Sequence, residues 1–320
     1  MLQQGINALF NFKTKRMNRL KFVKTAGAAT GFLAAGGMGV WSAFKPKVFS
    51  KHLTILHTND VHSHIDPFPA NDSNFPNLGG VSRRYSYIQN VKSENPNTLI
   101  LDAGDAFQGT PYFNFYGGEL EYKLMTKMGY HASTIGNHEF DNGIDNIAAQ
   151  LQHAEFDLLN SNYDLSNTSL GSLVKPYQVY EVNNLKVGVF ALGIQLDGLV
   201  SKDLYKETEY LDPVEITQEQ VKILKKDLEC DLVICLSHLG YSYKSDKIDD
   251  LKLAAQTRGI DLIIGGHTHT FLEKPSVVDN LDGKKVLVNQ VGWAGINVGR
   301  IDFYFDEAGA SENKSLVIEV

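Results

Sequence analysis

The chain has 320 residues, with 30 Lys+Arg against 37 Asp+Glu, a formal net charge of -7 and 43% hydrophobic content. That is enough for one large domain or two ordinary ones, and it argues against disorder. Residues 1–50 hold eight bases and no acid (Lys13, Lys15, Arg16, Arg19, Lys21, Lys24, Lys45, Lys47), which leaves 22 bases against 37 acids, or -15, for residues 51–320. A body that acidic lacks the Lys/Arg excess that displaces counterions from phosphates, so a nucleic-acid polymer is excluded as a partner.

In chain order, the basic arm leads into Thr25–Phe44, twenty uncharged residues diluted by five glycines and ending near Ser42-Ala43. A charged segment, an apolar stretch and small residues read as an export signal, so residues 1–50 are set apart from the fold. An uncleaved anchor is the alternative, because about 20 uncharged residues can just span a bilayer; a membrane partner is expected only in that case. Beyond residue 52, short runs rich in Val, Ile and Leu read as buried strands: Leu53–His57, Leu99–Leu101, Ala132–Ile135, Asp157–Leu159, Lys186–Leu192, Leu232–Leu236, Leu262–Ile264, Val286–Val288 and Val298–Phe305. Helix-period stretches lie between them, at Glu119–Met128, Ile144–His153, Pro213–Leu228 and Lys247–Thr257. Asp212-Pro213 reads as an N-cap with proline in the first turn, and Arg258-Gly259 as a helix end. The alternation implies an α/β body with largely parallel strands. Pro67–Leu78, dense in Pro, Asn, Asp and Ser, reads as a loop. Cys230 and Cys235 are the only cysteines. On one strand their odd spacing puts them on opposite faces, about 17 Å apart at about 3.3 Å per residue, so no internal disulfide is expected between them.

Five polar clusters stand directly after apolar runs: Asn59-Asp60-Val61-His62, Asp102-Ala103-Gly104-Asp105, Gly136-Asn137-His138-Glu139, Ser237-His238 and Gly265-Gly266-His267-Thr268-His269. Each therefore sits at the carboxyl end of a predicted strand, where open α/β sheets bind ligands. A lone histidine there is usually a hydrogen-bonded structural residue, but five clusters of one chemical kind on one edge are hard to obtain from packing. Asp, His and Asn without thiolate suit Zn, Mn, Fe, Co or Ni, and eight candidates are too many for one tetrahedral site. Two dications, two aspartates and a bridging hydroxide leave about one net positive charge to attract a phosphate. His57 reads as structural, His64 as outside the ligand set, Asp102 as a turn acceptor, and Phe107, Tyr112, Phe113, Phe115 and Tyr116 as core.

The order Asp-x-His, Gly-Asp, Gly-Asn-His-Glu, Ser-His, Gly-His-x-His resembles the calcineurin-like metallophosphoesterases. The strings Leu53-Thr54-Ile55-Leu56-His57-Thr58-Asn59-Asp60, Gly136-Asn137-His138-Glu139-Phe140-Asp141 and Gly265-Gly266-His267-Thr268-His269 resemble the catalytic domain of the 5′-nucleotidase / UDP-sugar hydrolase family, over about residues 52–306. The resemblance implies a four-layer α/β/β/α sandwich of two mixed sheets. It implies two divalent metal ions, one held by Asp60, His62 and His269, the other by Asn137, His238 and His267, with Asp105 bridging. It also implies phosphoester hydrolysis by a metal-bridging hydroxide, with His138 beside the leaving oxygen and oriented by Asp141, and Asn137 on a phosphoryl oxygen.

The expected partner is a small phosphoester, nucleotides among the candidates. The two-domain relatives carry a C-terminal specificity domain, which is expected to be absent from the single catalytic domain at 51–320 and to be encoded separately if present at all. Two other readings are a thiosulfohydrolase on the same metal centre and a non-catalytic metal-binding module; the presence of His138 and Asp141 speaks against the second. The segment Asn18-Arg19-Leu20-Lys21-Phe22-Val23-Lys24 resembles the twin-arginine export motif with Leu20 in place of the second arginine. It points to a periplasmic or cell-surface location and to Met17 as an alternative start.

Overall fold

The structure, a computed structural model, describes residues 49–307, 309 and 311–320. The basic arm and Thr25–Phe44 lie outside the described residues. Among those described, no helix is long and apolar enough to cross a membrane.

The first sheet contains β1 (Phe49–Thr58), β2 (Thr98–Asp102), β3 (Ala132–Thr134), β4 (Asp157–Leu159), β13 (Asn297–Asp306) and β14 (Ser311–Glu319), in the order β14-β13-β1-β2-β3-β4. The second holds β6 (Tyr177–Val182), β7 (Leu185–Leu192), β9 (Leu232–Ser237), β10 (Leu262–Gly265), β11 (Ser276–Asp279) and β12 (Lys285–Asn289), in the order β11-β12-β10-β9-β7-β6. In the first, β1 to β4 run parallel and β13 and β14 join antiparallel at one side; in the second, β12, β10, β9 and β7 run parallel between antiparallel edges β11 and β6. A small ribbon pairs β5 (Tyr163–Asp164) with β8 (Glu209–Tyr210). All nine apolar runs lie on strands, with Ala132–Ile135 overrunning β3 by one residue.

Side-chain alternation makes the layers. Leu53 and Ile55 of β1 meet Val187, Val189, Ile234 and Leu262 of the second sheet in one buried cluster, so the sheets pack face to face. The opposite face of the first sheet, with Leu56 and Ile100, is covered by α1 (Val81–Glu94) and α3 (Glu119–Met128) through Ile88, Val91, Tyr122 and Met125. The outer face of the second sheet packs Val233 and Ile263 against α6 (Pro213–Lys222) and α7 (Asp250–Gln256) through Val221, Leu253 and Ala254. Helix, sheet, sheet and helix stack as the four-layer sandwich. Its parallel strands are buried on both faces, which is why they read as continuous apolar runs. The short helices α2 (Pro111–Tyr116), α4 (Ile144–Gln150) and α5 (Lys202–Tyr205) fill the connections.

Local signals hold with small shifts. Asp212 caps α6 by accepting from the amides of Val214 and Glu215 at 2.8 and 3.0 Å. The Lys247–Thr257 stretch becomes helical only at Asp250, because the Asp249 side chain caps there by accepting from the amide of Lys252. The expected lack of a disulfide holds, both cysteines being free, but their placement on opposite faces of one strand is corrected. β9 begins at Leu232, so Cys230 precedes the strand and both free cysteines are buried in the same helix-side cluster. The aromatic stretch divides: Phe107 and Phe113 are core, whereas Phe115 and Tyr116 are exposed.

His57 is structural. It is fully buried, accepts from Asn289 Nδ2 at 2.9 Å, and leaves no room for a Cβ at Gly299, its neighbour across β13. Burial pushes its pKa down from 6.5 to about 3. As pH falls below 6.5 the unfolded chain takes up the proton first, so stability present above that pH is lost, at up to about 1.4 kcal/mol per pH unit. Denaturant unfolding at a series of pH values down to 4 should therefore show a shallower acid loss for His57→Asn than for the parent. Equal slopes would show that His57 does not carry the effect.

Candidate metal centre

Each polar cluster leaves the carboxyl end of a parallel strand. Asp60 and His62 follow β1, Asp105 follows β2 and Asn137 and His138 follow β3 on the first sheet; His238 follows β9 and His267 and His269 follow β10 on the second. Two groups form where these edges meet. Asp60, His62 and His269 have ligand atoms within 4.8 Å of one another, and so do Asp105, His238 and His267. His62 Nε2 lies 3.0 Å from His269 Nε2 and 3.9 Å from Asp60 Oδ1, and His238 Nε2 lies 3.0 Å from Asp105 Oδ2. The groups share one space: His62 Nε2 is 3.9 Å from Asp105 Oδ2, and His238 Nε2 is 4.0 Å from Asp60 Oδ1. Asn137 Oδ1 sits 2.8 Å from His267 Nδ1, at the second group.

The donor chemistry fits divalent cations. His62 and His238 direct Nδ1 at the carbonyls of Phe107 (3.2 Å) and Ala103 (2.7 Å). Donation there fixes the tautomer whose Nε2 lone pair points inward. His238 Nε2 is buried without a well-aligned hydrogen bond and lies 3.0 Å from a carboxylate oxygen, so positive charge must sit between them, as a proton on the ring or as a cation that the ring's lone pair and the carboxylate share. Burial alone would lower the His238 pKa, but Asp105 and Asp60 outweigh it and raise it to about 10. Burial likewise opposes ionisation of Asp105, yet His238 holds its carboxyl below the usual range. The pocket is built for positive charge. His267 stays neutral, pushed down to about 4 by burial.

The backbone is bent to bring these groups inward. Asp60, His62, Asp105, His267 and His269 all have positive φ, between 50° and 70°. Non-glycine residues rarely adopt that region, and such strain gathers at functional sites. Glycines let the loops close: a Cβ on Gly136 would lie 2.2 Å from Asp105 Oδ1, and one on Gly266 would meet the Ala103 carbonyl at 2.7 Å.

His138 stands on the rim, half-buried, its ring 5.2 Å from that of His62. Its Nδ1 is 2.9 Å from Asp141 Oδ2, and that hydrogen bond raises its pKa above 6.5. His64 stays out of both groups, with Nδ1 on the His62 carbonyl at 2.9 Å. Asp102 accepts from the Gly104 amide (3.0 Å), Thr58 Oγ1 (2.6 Å) and Ser133 Oγ (3.0 Å), as a turn acceptor should.

Residues 53–271 match the calcineurin-like phosphoesterase family model. The chain belongs to the calcineurin-like phosphoesterase family. As a member, the domain is a metal-dependent phosphoester hydrolase. It is 35% identical over 289 residues to the trifunctional nucleotide phosphoesterase protein YfkN of Bacillus subtilis, covering 80% of this chain and 18% of that protein. It is 33% identical over 308 residues to human 5′-nucleotidase, covering 89% of this chain and 51% of that one. The crystal structure of a 5′-nucleotidase precursor from Thermus thermophilus superposes with a TM-score of 0.74 at 36% identity, over 84% of this chain and 55% of that one. The chain thus spans about half the length or less of these relatives.

Three supporting residues have no role assigned from the sequence, although Asn59 and Glu139 stand inside two of the polar clusters and only Gln290 lies outside them. Glu139, fully buried, accepts from the amides of Asp105 (3.0 Å), Ala106 (2.8 Å), Phe107 (3.3 Å) and Gly136 (2.6 Å), tying the loop after β2 to the loop after β3. Burial, reinforced by Asp105, pushes its carboxyl up to about 7. Asn59 donates to Asp60 Oδ2 and to the Gly292 carbonyl, both at 2.7 Å, and accepts from the Val291 amide at 3.0 Å. Gln290 accepts from Thr268 Oγ1 (3.0 Å) and the Thr270 amide, and donates to the Gly266 carbonyl. The segment after β12 thereby straps the Asp60 loop to the His267–His269 loop. Glu139 was visible as part of Gly136–Glu139, and the signal was a carboxylate beside glycine turns. Glu139→Ala orphans four amides at about 1–3 kcal/mol each when buried. It should lose at least about 3 kcal/mol of unfolding free energy by denaturant titration, and an unchanged midpoint would contradict this role.

Proposed function

We propose that the chain is an exported, dinuclear-metal phosphohydrolase acting on phosphomonoesters, nucleotides among them. The observation that carries this reading is the pair of three-residue ligand groups opening into one space, with His138 and Asp141 at its rim. Asp60, His62 and His269 would hold one metal, and His238, His267 and Asn137 the second, with Asp105 between them. Bound divalent metals polarise the phosphoryl group and activate water for in-line attack.

The chain's own groups do the rest. Asn137 Nδ2 can donate to a phosphoryl oxygen while Oδ1 faces the metal pocket. His138 Nε2 is free to give a proton to the departing alkoxide, because Nδ1 is engaged by Asp141, which also fixes the ring. Nucleotides are favoured by the names of the relatives, a nucleotide phosphoesterase and 5′-nucleotidases. Export rests on the basic arm and the uncharged stretch after it.

The test is a substrate panel on the metal-loaded full chain: adenosine 5′-monophosphate, ribose 5-phosphate, p-nitrophenyl phosphate and a thiosulfonate ester. Turnover of the phosphates that stops with chelator is expected. Turnover of the thiosulfonate alone would overturn the phosphohydrolase reading.

A further inference from the structure

Four aromatic side chains near the ligands belong to none of the buried core clusters: Phe68 and Phe75 on the loop after β1, Phe271 beyond His269, and Trp293 beyond β12. Their rings form a ladder that starts on a candidate metal ligand. Trp293 lies flat over His269, with centroids 5.8 Å apart and planes 6° from parallel. It meets Phe68 at 6.0 Å and Phe75 at 6.4 Å, each edge to face. Phe75 in turn runs 21° from parallel to Phe271 at 6.0 Å.

The outer end of the ladder is open. Phe271 is 45% exposed, yet its ring is closely seated on Gly292, where a Cβ would come within 2.2 Å. The loop that presents Phe75 is shaped by its own polar groups: Asp72 Oδ1 accepts from the amides of Asn74 and Phe75 at 2.9 and 2.8 Å, and Phe68 bonds the Leu78 carbonyl at 2.8 Å. A polar loop thus spends two phenylalanines on the rim of the metal centre rather than on the core. The residues between them are Pro69, Ala70, Asn71, Asp72, Ser73 and Asn74, so the rings stand out from a mostly polar loop rather than from a broad apolar face. That setting suits a flat ring better than a protein surface. Aromatic stacking needs no matched hydrogen bonds, because every base presents a π-face.

We propose that Trp293, Phe75 and Phe271 form a wall on which the planar ring of the leaving group stacks, so that the site selects phosphomonoesters carrying a base over sugar or polyol phosphates. This rests on the phosphohydrolase reading for its reaction, but ring binding stands apart from it. The wall lies within the catalytic domain and needs no second domain to present a ring.

Two measurements on the full chain separate the claims. In a Trp41→Phe background Trp293 is the sole tryptophan, and adenosine, which has no phosphate to hydrolyse, should quench its emission. Phe75→Ala and Phe271→Ala should each weaken that binding by about 5- to 150-fold, the usual worth of one aromatic–base stack. The ratio of kcat/KM for adenosine 5′-monophosphate over ribose 5-phosphate, which share the reacting ester, should fall by a similar factor and chiefly through KM. Adenosine affinity and substrate ratio both unchanged in the double variant would overturn the wall. So would a change in sedimentation with no change in the ratio, which would make the patch a protein interface. Adenosine binding lost with the rings, in a protein that hydrolyses neither phosphate, would uphold the wall and overturn the phosphohydrolase reading.

Discussion

Asp105→Ala should fold and yet bind divalent metal at least about 100-fold more weakly, with hydrolysis lost in proportion. Supporting residues one step removed from a metal already cost about 10- to 100-fold when mutated, and a ligand between two cations should cost more. The geometry makes this residue special. Asp105 Oδ2 lies 3.0 Å from His238 Nε2 and 3.9 Å from His62 Nε2, so one carboxylate addresses both groups. Its other oxygen accepts from the His138 amide at 2.8 Å, which ties Asp105 to the loop carrying Asn137. Removing the carboxylate leaves imidazoles facing each other with little negative charge to offset two dications. Calorimetric titration with Mn²⁺, beside circular dichroism to confirm the fold, reads this directly. Tight binding of two ions by the variant would remove Asp105 from the bridging position.

His138→Ala should bind both metals normally and lower kcat by about 10²- to 10⁴-fold, the range for losing a positioned proton donor. KM should move little, because the ring's contribution comes as the ester bond breaks. The loss should depend on the leaving group. An alkoxide needs the proton, whereas p-nitrophenolate departs readily without it, so p-nitrophenyl phosphate should be spared most of the defect. Asp141→Asn should show a smaller loss with the same pattern, since Asp141 acts through His138 by the 2.9 Å contact with Nδ1. An equal loss on both substrates would show that His138 does not protonate the leaving oxygen.

What the sequence made legible follows the physics of burial. Parallel central strands are covered on both faces and appear as apolar runs, so the polar clusters at their ends were easy to place. Three of the four edge strands escaped: β6, β11 and β14 are only partly buried, and the Ser311–Glu319 stretch is mostly exposed and polar in composition. Helix α1 escaped because its buried stripe of Arg84, Ile88 and Val91 has helical spacing but opens on an arginine. Cys230 was misplaced because a strand boundary two residues away decides which face it meets. Seven of the nine candidate site residues lie on loops at strand ends, with His138 and Asp141 on the single-turn helix after β3; eight of them stand in the five clusters, which is why the sequence singles them out. Asn59, Gln290 and Glu139 serve by hydrogen bonds to backbone and neighbouring side chains, which leave no periodic trace. The aromatic ladder joins rings from 68 to 293, and no local pattern links positions so far apart.

The most direct test of a two-metal phosphohydrolase is a stoichiometric titration. Metal-stripped full chain would be titrated with Mn²⁺ while hydrolysis of adenosine 5′-monophosphate is followed. The ligand arrangement predicts no turnover without metal and full turnover only once two ions are bound per chain. Full activity at one ion per chain, or activity that persists in excess chelator, would contradict it.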